Sequence, residues 1–183
     1  MNKNTNEFTD FLSLGIDEKF IQKLNKLNIT VPTEIQQKAI PLILKKSNLM
    51  FESETGTGKT FAFLLPIFEN INPKDNSIQG LIITPTRELA LQISQAAEKL
   101  NETKNINILA AYGGKDIKSQ LNKLKRNIHL VIATPGRLLD HLDRESINLS
   151  KIKTLVIDEA DQMLLMGFKN EMEAIIKETN KKR

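Results

Sequence analysis

Short runs of Ile, Leu and Val alternate along the chain with longer segments in which apolar residues recur at helical spacing. Because the runs are apolar without clean alternation, they predict β-strands that are covered on both faces. Strands that alternate with helices predict a parallel α/β sheet with crossover helices on both faces. The five predicted strands begin at Leu49, Leu81, Ile106, Leu130 and Thr154.

A helical segment precedes the first predicted strand. It runs roughly from residue 17 to residue 44, with a break at Pro32. The pattern therefore divides the chain into an N-terminal helical segment, residues 1–46, and an α/β domain, residues 47–183. Sheets of this class bind ligands at the carboxyl ends of their strands, so the residues after each strand are the candidates for function.

The composition is that of an ordinary globular domain, with 183 residues of which 40% are hydrophobic and 26% charged. The absence of cysteine excludes a disulfide framework and a thiolate zinc site. The polar N-terminus is unlike a signal peptide, and the densest apolar run, FAFLLPIF, is too short to span a bilayer. We therefore expect a cytoplasmic protein with no membrane partner. The net charge of +4 is compatible with a polyanionic partner but does not require one.

A glycine-rich loop lies between the first predicted strand and the next helix. It matches the phosphate-binding pattern G-x-x-x-x-G-K-[ST], except that Ser53 replaces the first glycine. Backbone N–H groups in such a loop converge on an anion, while Lys59 reaches the β- and γ-phosphates and Thr60 binds Mg²⁺. The alternative, an ordinary glycine turn before a helix, is disfavoured by GKT at this junction. The predicted nucleotide-binding residues of the loop are Ser53, Glu54, Thr55, Gly56, Thr57, Gly58, Lys59 and Thr60.

Two carboxylates, Asp158 and Glu159, follow the last predicted strand. Mg²⁺ prefers one or two carboxylates with water and phosphate, so Asp158 can hold the ion directly or through water. Glu159 can orient and deprotonate the water that attacks the γ-phosphorus. Either acid alone would be interpreted as part of a surface turn. Together with the phosphate loop they predict nucleoside triphosphate hydrolysis, with Lys59, Asp158 and Glu159 as catalytic residues.

The three other predicted strands also end in turns that suit anions. Each turn offers N–H groups at a helix N-terminus and a nearby cation, which is Arg87, Lys115 or Arg137. Thr86, for example, can cap the helix that begins at Arg87. Such contacts position a nucleic acid without reading its sequence, although turns favour Thr, Pro and Gly in any case. The predicted contacts are Pro85, Thr86, Arg87, Gly113, Gly114, Thr134, Pro135, Gly136 and Arg137.

In combination these motifs resemble the DEAD-box ATP-dependent RNA helicases. TGTGKT, PTRELA, the paired glycines, TPGR and DEAD occur in the order of that family. The resemblance covers about residues 11 to 168 and corresponds to the first of the family's two RecA-like domains. It implies that ATP and Mg²⁺ are the cofactors, and that RNA is bound through its sugar–phosphate backbone without sequence specificity.

The resemblance also implies roles for three further residues. The segment VPTEIQ resembles the family's adenine-reading Q motif, with Gln36 as its glutamine, and Phe11 stands where the family has an aromatic residue that stacks on adenine. By themselves, Thr33 and Gln36 form a capping-box pattern and Phe11 is a core residue. Asp161 is implied to couple the ATP site to the family's Ser-Ala-Thr motif.

The sequence ends before that Ser-Ala-Thr motif and before the family's second RecA-like domain. We therefore expect a monomeric piece of a longer RNA-stimulated ATP hydrolase that unwinds duplexes, with negligible activity of its own. The second RecA-like domain of the same parent chain would then be its partner. The alternative is a non-catalytic module that binds nucleotide and RNA or docks a partner protein.

Overall fold

The computed structural model describes residues 10–52, 56–114 and 116–179. These residues form two compact units that divide between Asn70 and Ile71, which we call the N-terminal unit and the C-terminal unit. The boundary at residues 46 and 47 that the sequence suggests stays a prediction. None of the helices in the described part of the chain is both long and apolar enough to cross a membrane.

The described part of the N-terminal unit is helical. Asp17 begins its first helix by accepting a hydrogen bond from the Lys19 backbone N–H at 3.0 Å. Phe20 on that helix packs edge-to-face on Phe68, with 6.0 Å between the ring centroids, and both rings are buried. The chain is helical on both sides of Pro32, as predicted. The helices are α1 (Glu18–Lys26), α2 (Glu34–Leu44) and α3 (Lys59–Asn70).

The first predicted strand is not formed. Residues 49–52 have no regular secondary structure, and Met50 is fully exposed. A strand is stabilised by hydrogen bonds to a neighbouring strand, and the described residues of the N-terminal unit include no strand that could supply them. The prediction of a strand from this apolar run was therefore wrong. Its side chains instead line an open cavity of about 640 Å³ together with Ala39 and Leu42.

The C-terminal unit contains the four other predicted strands, which form one parallel sheet. They are β1 (Gly80–Ile83), β2 (Ile108–Ala111), β3 (Leu130–Ala133) and β4 (Thr154–Ile157). Their order in the sheet is β2-β3-β1-β4. Ile83, the last residue of β1, is in register with Ala133 on β3 and with Ile157 on β4. All four strands therefore end at the same edge of the sheet.

Helices cover both faces of this sheet, which confirms the predicted parallel α/β class. Adjacent residues of a strand point to opposite faces, and Leu81 and Ile82 are both fully buried. Leu81 belongs to a core that includes Leu138, Met163 and Ile175 from three of the helices, whereas the first helix of the unit packs against β2 and β3. The helices are α4 (Arg87–Asn101), α5 (Ile117–Leu124), α6 (Pro135–Asp143), α7 (Ala160–Leu165) and α8 (Lys169–Glu178).

Candidate functional site

The glycine-rich loop of the N-terminal unit leads directly into helix α3. Gly56 and Gly58 have φ values of +82° and +94°, a conformation that L-residues other than glycine rarely adopt. Helix α3 begins at Lys59, so Lys59 and Thr60 occupy its first turn, where both are half-buried. Backbone N–H groups in a first helical turn have no intrahelical acceptor and can bind an anion. Ser53, Glu54 and Thr55 lie outside the described residues.

Gln36 connects helix α2 to this loop. Its Oε1 accepts a hydrogen bond from the Thr33 backbone N–H at 2.9 Å, which confirms the predicted capping box. Its Nε2 donates to the Gly58 carbonyl at 3.1 Å, and the side chain is only 2% exposed. A Cβ atom at Gly58 would lie 2.6 Å from that Nε2 atom, so only glycine fits there. Adenine recognition by Gln36 stays a prediction.

Phe11 is a core residue of the N-terminal unit in this structure. Its side chain is 2% exposed, and its carbonyl accepts a hydrogen bond from the Ile16 backbone N–H at 3.1 Å. The interpretation that the residue alone suggested is therefore confirmed, and stacking on adenine stays a prediction.

The turn after β1 has the predicted helix cap. Thr86 Oγ1 accepts a hydrogen bond from the Leu89 backbone N–H at 3.2 Å, which confirms Thr86 as the N-cap of α4. Pro85 is buried, whereas Arg87 is exposed at the first position of the helix. The Arg87 guanidinium lies 5.1 Å from the centre of the Tyr112 ring, at a distance typical of cation–π contacts. A cation at the sheet edge is thus supported by an aromatic face that sequence analysis did not single out.

The turn after β2 consists of Gly113 and Gly114, both exposed. Gly114 has a φ of +75°, and a Cβ atom there would lie 3.1 Å from Arg87 Nη1. The turns after β1 and β2 therefore approach each other through the Arg87 side chain. Lys115, the cation predicted beside this turn, lies outside the described residues.

The turn after β3 starts helix α6 with Thr134 at the N-cap and the buried Pro135 at the first position. Gly136 is exposed, but the Arg137 side chain is only 14% exposed and its Nε lies 3.7 Å from Asp140 Oδ2. Asp140 also accepts a hydrogen bond from Arg144 Nε at 2.6 Å, which holds the pKa of its carboxyl below the ordinary value. The Arg137 side chain is thus less exposed than expected for an arginine that is predicted to contact phosphates.

The turn after β4 carries the two predicted catalytic acids. The Asp158 backbone N–H donates to the Ile83 carbonyl at 2.9 Å, so the ladder between β1 and β4 continues to Asp158. Glu159, the N-cap of α7, has a φ of +53° and a ψ of +50°, in the left-handed region. Asp161 lies exposed in the first turn of α7.

The conformation of Glu159 marks it as unusual. A residue with a side chain in this region costs about 1–3 kcal/mol, and residues held there cluster at active sites. The other described non-glycine residues with positive φ follow helices, where left-handed residues are common, whereas Glu159 precedes one; those others are Asn28, Lys46, Asn105 and Glu145. The catalytic role of Glu159 stays a prediction.

Comparisons with known proteins agree with this geometry. The model of the DEAD/DEAH box helicase family matches residues 33–183. The ATP-dependent RNA helicase CshA of Listeria monocytogenes is 47% identical over 175 residues, which are 96% of this chain and 34% of that protein. The DEAD-box ATP-dependent RNA helicase CshA of Geobacillus kaustophilus is 41% identical over 168 residues, which are 92% of this chain and 36% of that protein.

A solved structure shows the same similarity in three dimensions. The crystal structure of a DEAD box protein from Methanococcus jannaschii has a TM-score of 0.91 and 39% identity, and the match covers 96% of this chain and 48% of that one. The chain spans about a third of the length of the curated relatives it matches. The motifs, the sheet and both kinds of comparison lead to one conclusion: the chain belongs to the DEAD/DEAH box helicase family.

Proposed function

We propose that this chain binds ATP and RNA within an ATP-dependent RNA helicase and contributes the residues that hydrolyse ATP. The observation that carries the proposal is that one edge of the parallel sheet holds two kinds of turn. One turn carries Asp158 and Glu159, and three others carry the predicted phosphate contacts. These four turns share an edge because all four strands end in register. The residues predicted for hydrolysis and those predicted to contact phosphates thus follow strands of the same sheet.

For ATP, the loop before α3 would bind the phosphates through its backbone N–H groups and Lys59. The Thr60 hydroxyl and the Asp158 carboxylate are hard oxygen donors, and Mg²⁺ usually takes one or two such ligands and fills its other positions with water and phosphate. Each of these oxygens is of the kind that Mg²⁺ prefers, and the ion would neutralise phosphate charge when bound. Glu159 would accept a proton from the attacking water.

For the adenine base, the proposal rests on the capacity of the Gln36 carboxamide. A carboxamide has two N–H groups and two lone pairs on its oxygen. The bonds to Thr33 and Gly58 use one N–H and one lone pair. The second N–H and the second lone pair match the acceptor and donor on an adenine edge. Phe11 would contribute the aromatic face if it becomes accessible when nucleotide binds.

For RNA, the three turns on the sheet edge would contact successive phosphates. Exposed Arg87, the Gly113–Gly114 turn and the N-terminus of α6 supply a cation and backbone N–H groups. Contacts to phosphates and sugars do not distinguish one base from another. We therefore propose RNA binding without sequence specificity.

The relatives support an activity that needs more than this chain. They are named ATP-dependent RNA helicases, and the chain covers about a third of each. We propose that a second RecA-like domain completes the ATP site and the RNA surface, with Asp161 coupling the two domains. An arginine supplied to a related phosphate site raises turnover by about 10³- to 10⁵-fold, so the 183-residue chain alone should hydrolyse ATP negligibly.

The proposal is tested by Glu159→Gln and Lys59→Ala in the full-length protein, with the exposed Glu173→Gln as a matched control. Glu159→Gln should retain ATP affinity and lower RNA-stimulated hydrolysis by at least about 10²-fold, because a general base contributes about 10²- to 10⁴-fold. Lys59→Ala should weaken ATP binding itself. Binding is measured with a fluorescent ATP analogue and hydrolysis by phosphate release. Undiminished turnover in Glu159→Gln would refute its role as base, and binding without any hydrolysis by the unaltered protein would favour a non-catalytic module.

A further inference from the structure

A buried network of hydrogen bonds connects helix α6 to the residue before the turn that follows β2. Gln120 on α5 is 2% exposed and His141 on α6 is fully buried. Gln120 Nε2 donates to the Tyr112 carbonyl at 3.2 Å, and Gln120 Oε1 lies 3.0 Å from His141 Nε2. Because Oε1 can only accept, His141 Nε2 must carry the hydrogen. His141 Nδ1 lies 2.8 Å from Ser146 Oγ, so both ring nitrogens have partners.

Tyr112 connects this hydrogen-bond network to the sheet edge. Its carbonyl accepts from Gln120, the residue is only 5% exposed, and its ring lies 5.1 Å from the Arg87 guanidinium. The next two residues are the Gly113–Gly114 turn, which approaches Arg87 Nη1. Tyr112 therefore contacts the exposed Arg87 of the turn after β1 and immediately precedes the Gly113–Gly114 turn after β2. Through Gln120 it is also connected to α6, the helix that follows β3.

We propose that Tyr112, Gln120 and His141 are positioning residues for RNA, which fix the Arg87 side chain, the Gly113–Gly114 turn and helix α6 relative to one another. The proposal rests on the RNA-binding function proposed above. Its physical basis is preorganisation, because an arginine already held against an aromatic face loses less side-chain freedom when it binds a phosphate. Buried amide and imidazole groups need partners, and each hydrogen bond here fixes a direction that an apolar contact would leave free.

The first test combines Tyr112→Leu with Arg87→Ala in the full-length protein. Affinity for a fluorescein-labelled oligo-uridine RNA is measured by anisotropy in the presence of a non-hydrolysable ATP analogue. Tyr112→Leu should weaken RNA binding by roughly two- to fivefold, the size of an exposed cation–π contact. Tyr112→Phe, which keeps the ring, should leave it unchanged. In the Arg87→Ala background, Tyr112→Leu should have no further effect, and affinity for the ATP analogue should be the same in every variant.

The outcomes separate this proposal from the proposed function. If Arg87→Ala leaves RNA affinity unchanged, the RNA contact itself is refuted. If Arg87→Ala weakens RNA binding but Tyr112→Leu weakens it equally in both backgrounds, Tyr112 does not act through Arg87 and the positioning proposal is overturned. A Tyr112→Leu variant that loses as much affinity for the ATP analogue as for RNA would overturn it as well.

The second test addresses the buried hydrogen bonds of Gln120. Gln120→Leu leaves the Tyr112 carbonyl and His141 Nε2 without this partner, so the amides of Gly113 and Gly114 should exchange hydrogen faster while residues 108–111 of β2 stay protected. Hydrogen–deuterium exchange with mass spectrometry measures both segments. Equal acceleration in β2 would assign Gln120 to stability alone and remove it from the positioning residues.

Discussion

The sharpest prediction concerns the two glycines of the phosphate loop, which have the same backbone conformation but different surroundings. Gly56 and Gly58 have φ values of +82° and +94°. A Cβ atom at Gly56 would meet nothing within 4 Å, whereas one at Gly58 would lie 2.6 Å from Gln36 Nε2 and 2.9 Å from Thr33 Oγ1. Gly56→Ala is therefore a matched control that introduces the backbone strain without the steric conflict.

The magnitudes follow from these contacts. Both substitutions place alanine at a positive φ, which costs about 1–3 kcal/mol. Gly58→Ala should also displace the buried Gln36 amide from the Gly58 carbonyl, and a buried donor without its partner costs about another 1–3 kcal/mol. We expect Gly58→Ala to lower the stability of the N-terminal unit by about 2–6 kcal/mol, and Gly56→Ala by the strain alone.

The assay must report on the N-terminal unit, because a chain with two compact units need not unfold in a single step. Hydrogen exchange of the Thr33 backbone N–H, which donates to Gln36 Oε1 at 2.9 Å at the start of α2, reports on the capping box directly. In a Gln36→Ala background the difference between the two glycine variants should shrink. Equal effects of Gly56→Ala and Gly58→Ala on α2 exchange would refute the close approach to Gln36.

Three further predictions concern recognition and pH. A titration of the chain should favour ADP over GDP, and Gln36→Ala should remove most of that preference; equal affinities in the unaltered chain would refute the adenine role. Asp140→Asn, which removes the carboxylate charge 3.7 Å from Arg137 Nε, should strengthen RNA binding in the full-length protein, because Arg137 then has a stronger attraction to phosphate. Arg137→Ala should weaken RNA binding and lower the salt slope by about one unit, and unchanged slopes would exclude Arg137 as a phosphate contact. Burial lowers the pKa of His129 and of His141 below the ordinary value of 6.5, and Arg137 adds to the shift of His141. The folded state then binds fewer protons than the unfolded chain, so urea unfolding should show stability retained above about pH 6.5 and lost below it, to a smaller extent in His141→Gln.

The sequence was informative where local residues decide the outcome. Apolar runs covered on both faces predicted four strands correctly, and Thr86 and the Thr33–Gln36 pair predicted two helix caps, because both depend on residues close in sequence. The run at residues 49–52 is also largely apolar, but it reads Leu-Met-Phe-Glu, without the β-branched Ile and Val that favour strands. It also has no strand beside it in the described part of its unit, and pairing cannot be deduced from the run itself.

The remaining features of the site depend on tertiary contacts or on backbone conformation. Glutamate has no preference for positive φ, so nothing in the sequence marks the left-handed conformation of Glu159. Tyr112 meets Arg87 only because β1 and β2 end at the same edge of the sheet. The enclosure of Arg137, by contrast, could have been anticipated, because Asp140 follows it at the i,i+3 spacing that brings side chains together on a helix.

Gln36 shows why the two interpretations of one residue need not compete. As a capping residue it accepts from the Thr33 N–H, and as a link to the phosphate loop it donates to the Gly58 carbonyl. These bonds fix the plane of the carboxamide, so its second N–H and its second lone pair have fixed directions as well. An adenine that bound to these two positions would hydrogen-bond to a carboxamide that is itself hydrogen-bonded to Gly58, the residue before Lys59. Recognition of adenine by Gln36 would therefore act on the same loop that we propose binds the phosphates, and removal of Gln36 should impair both the choice of base and the geometry of Gly58.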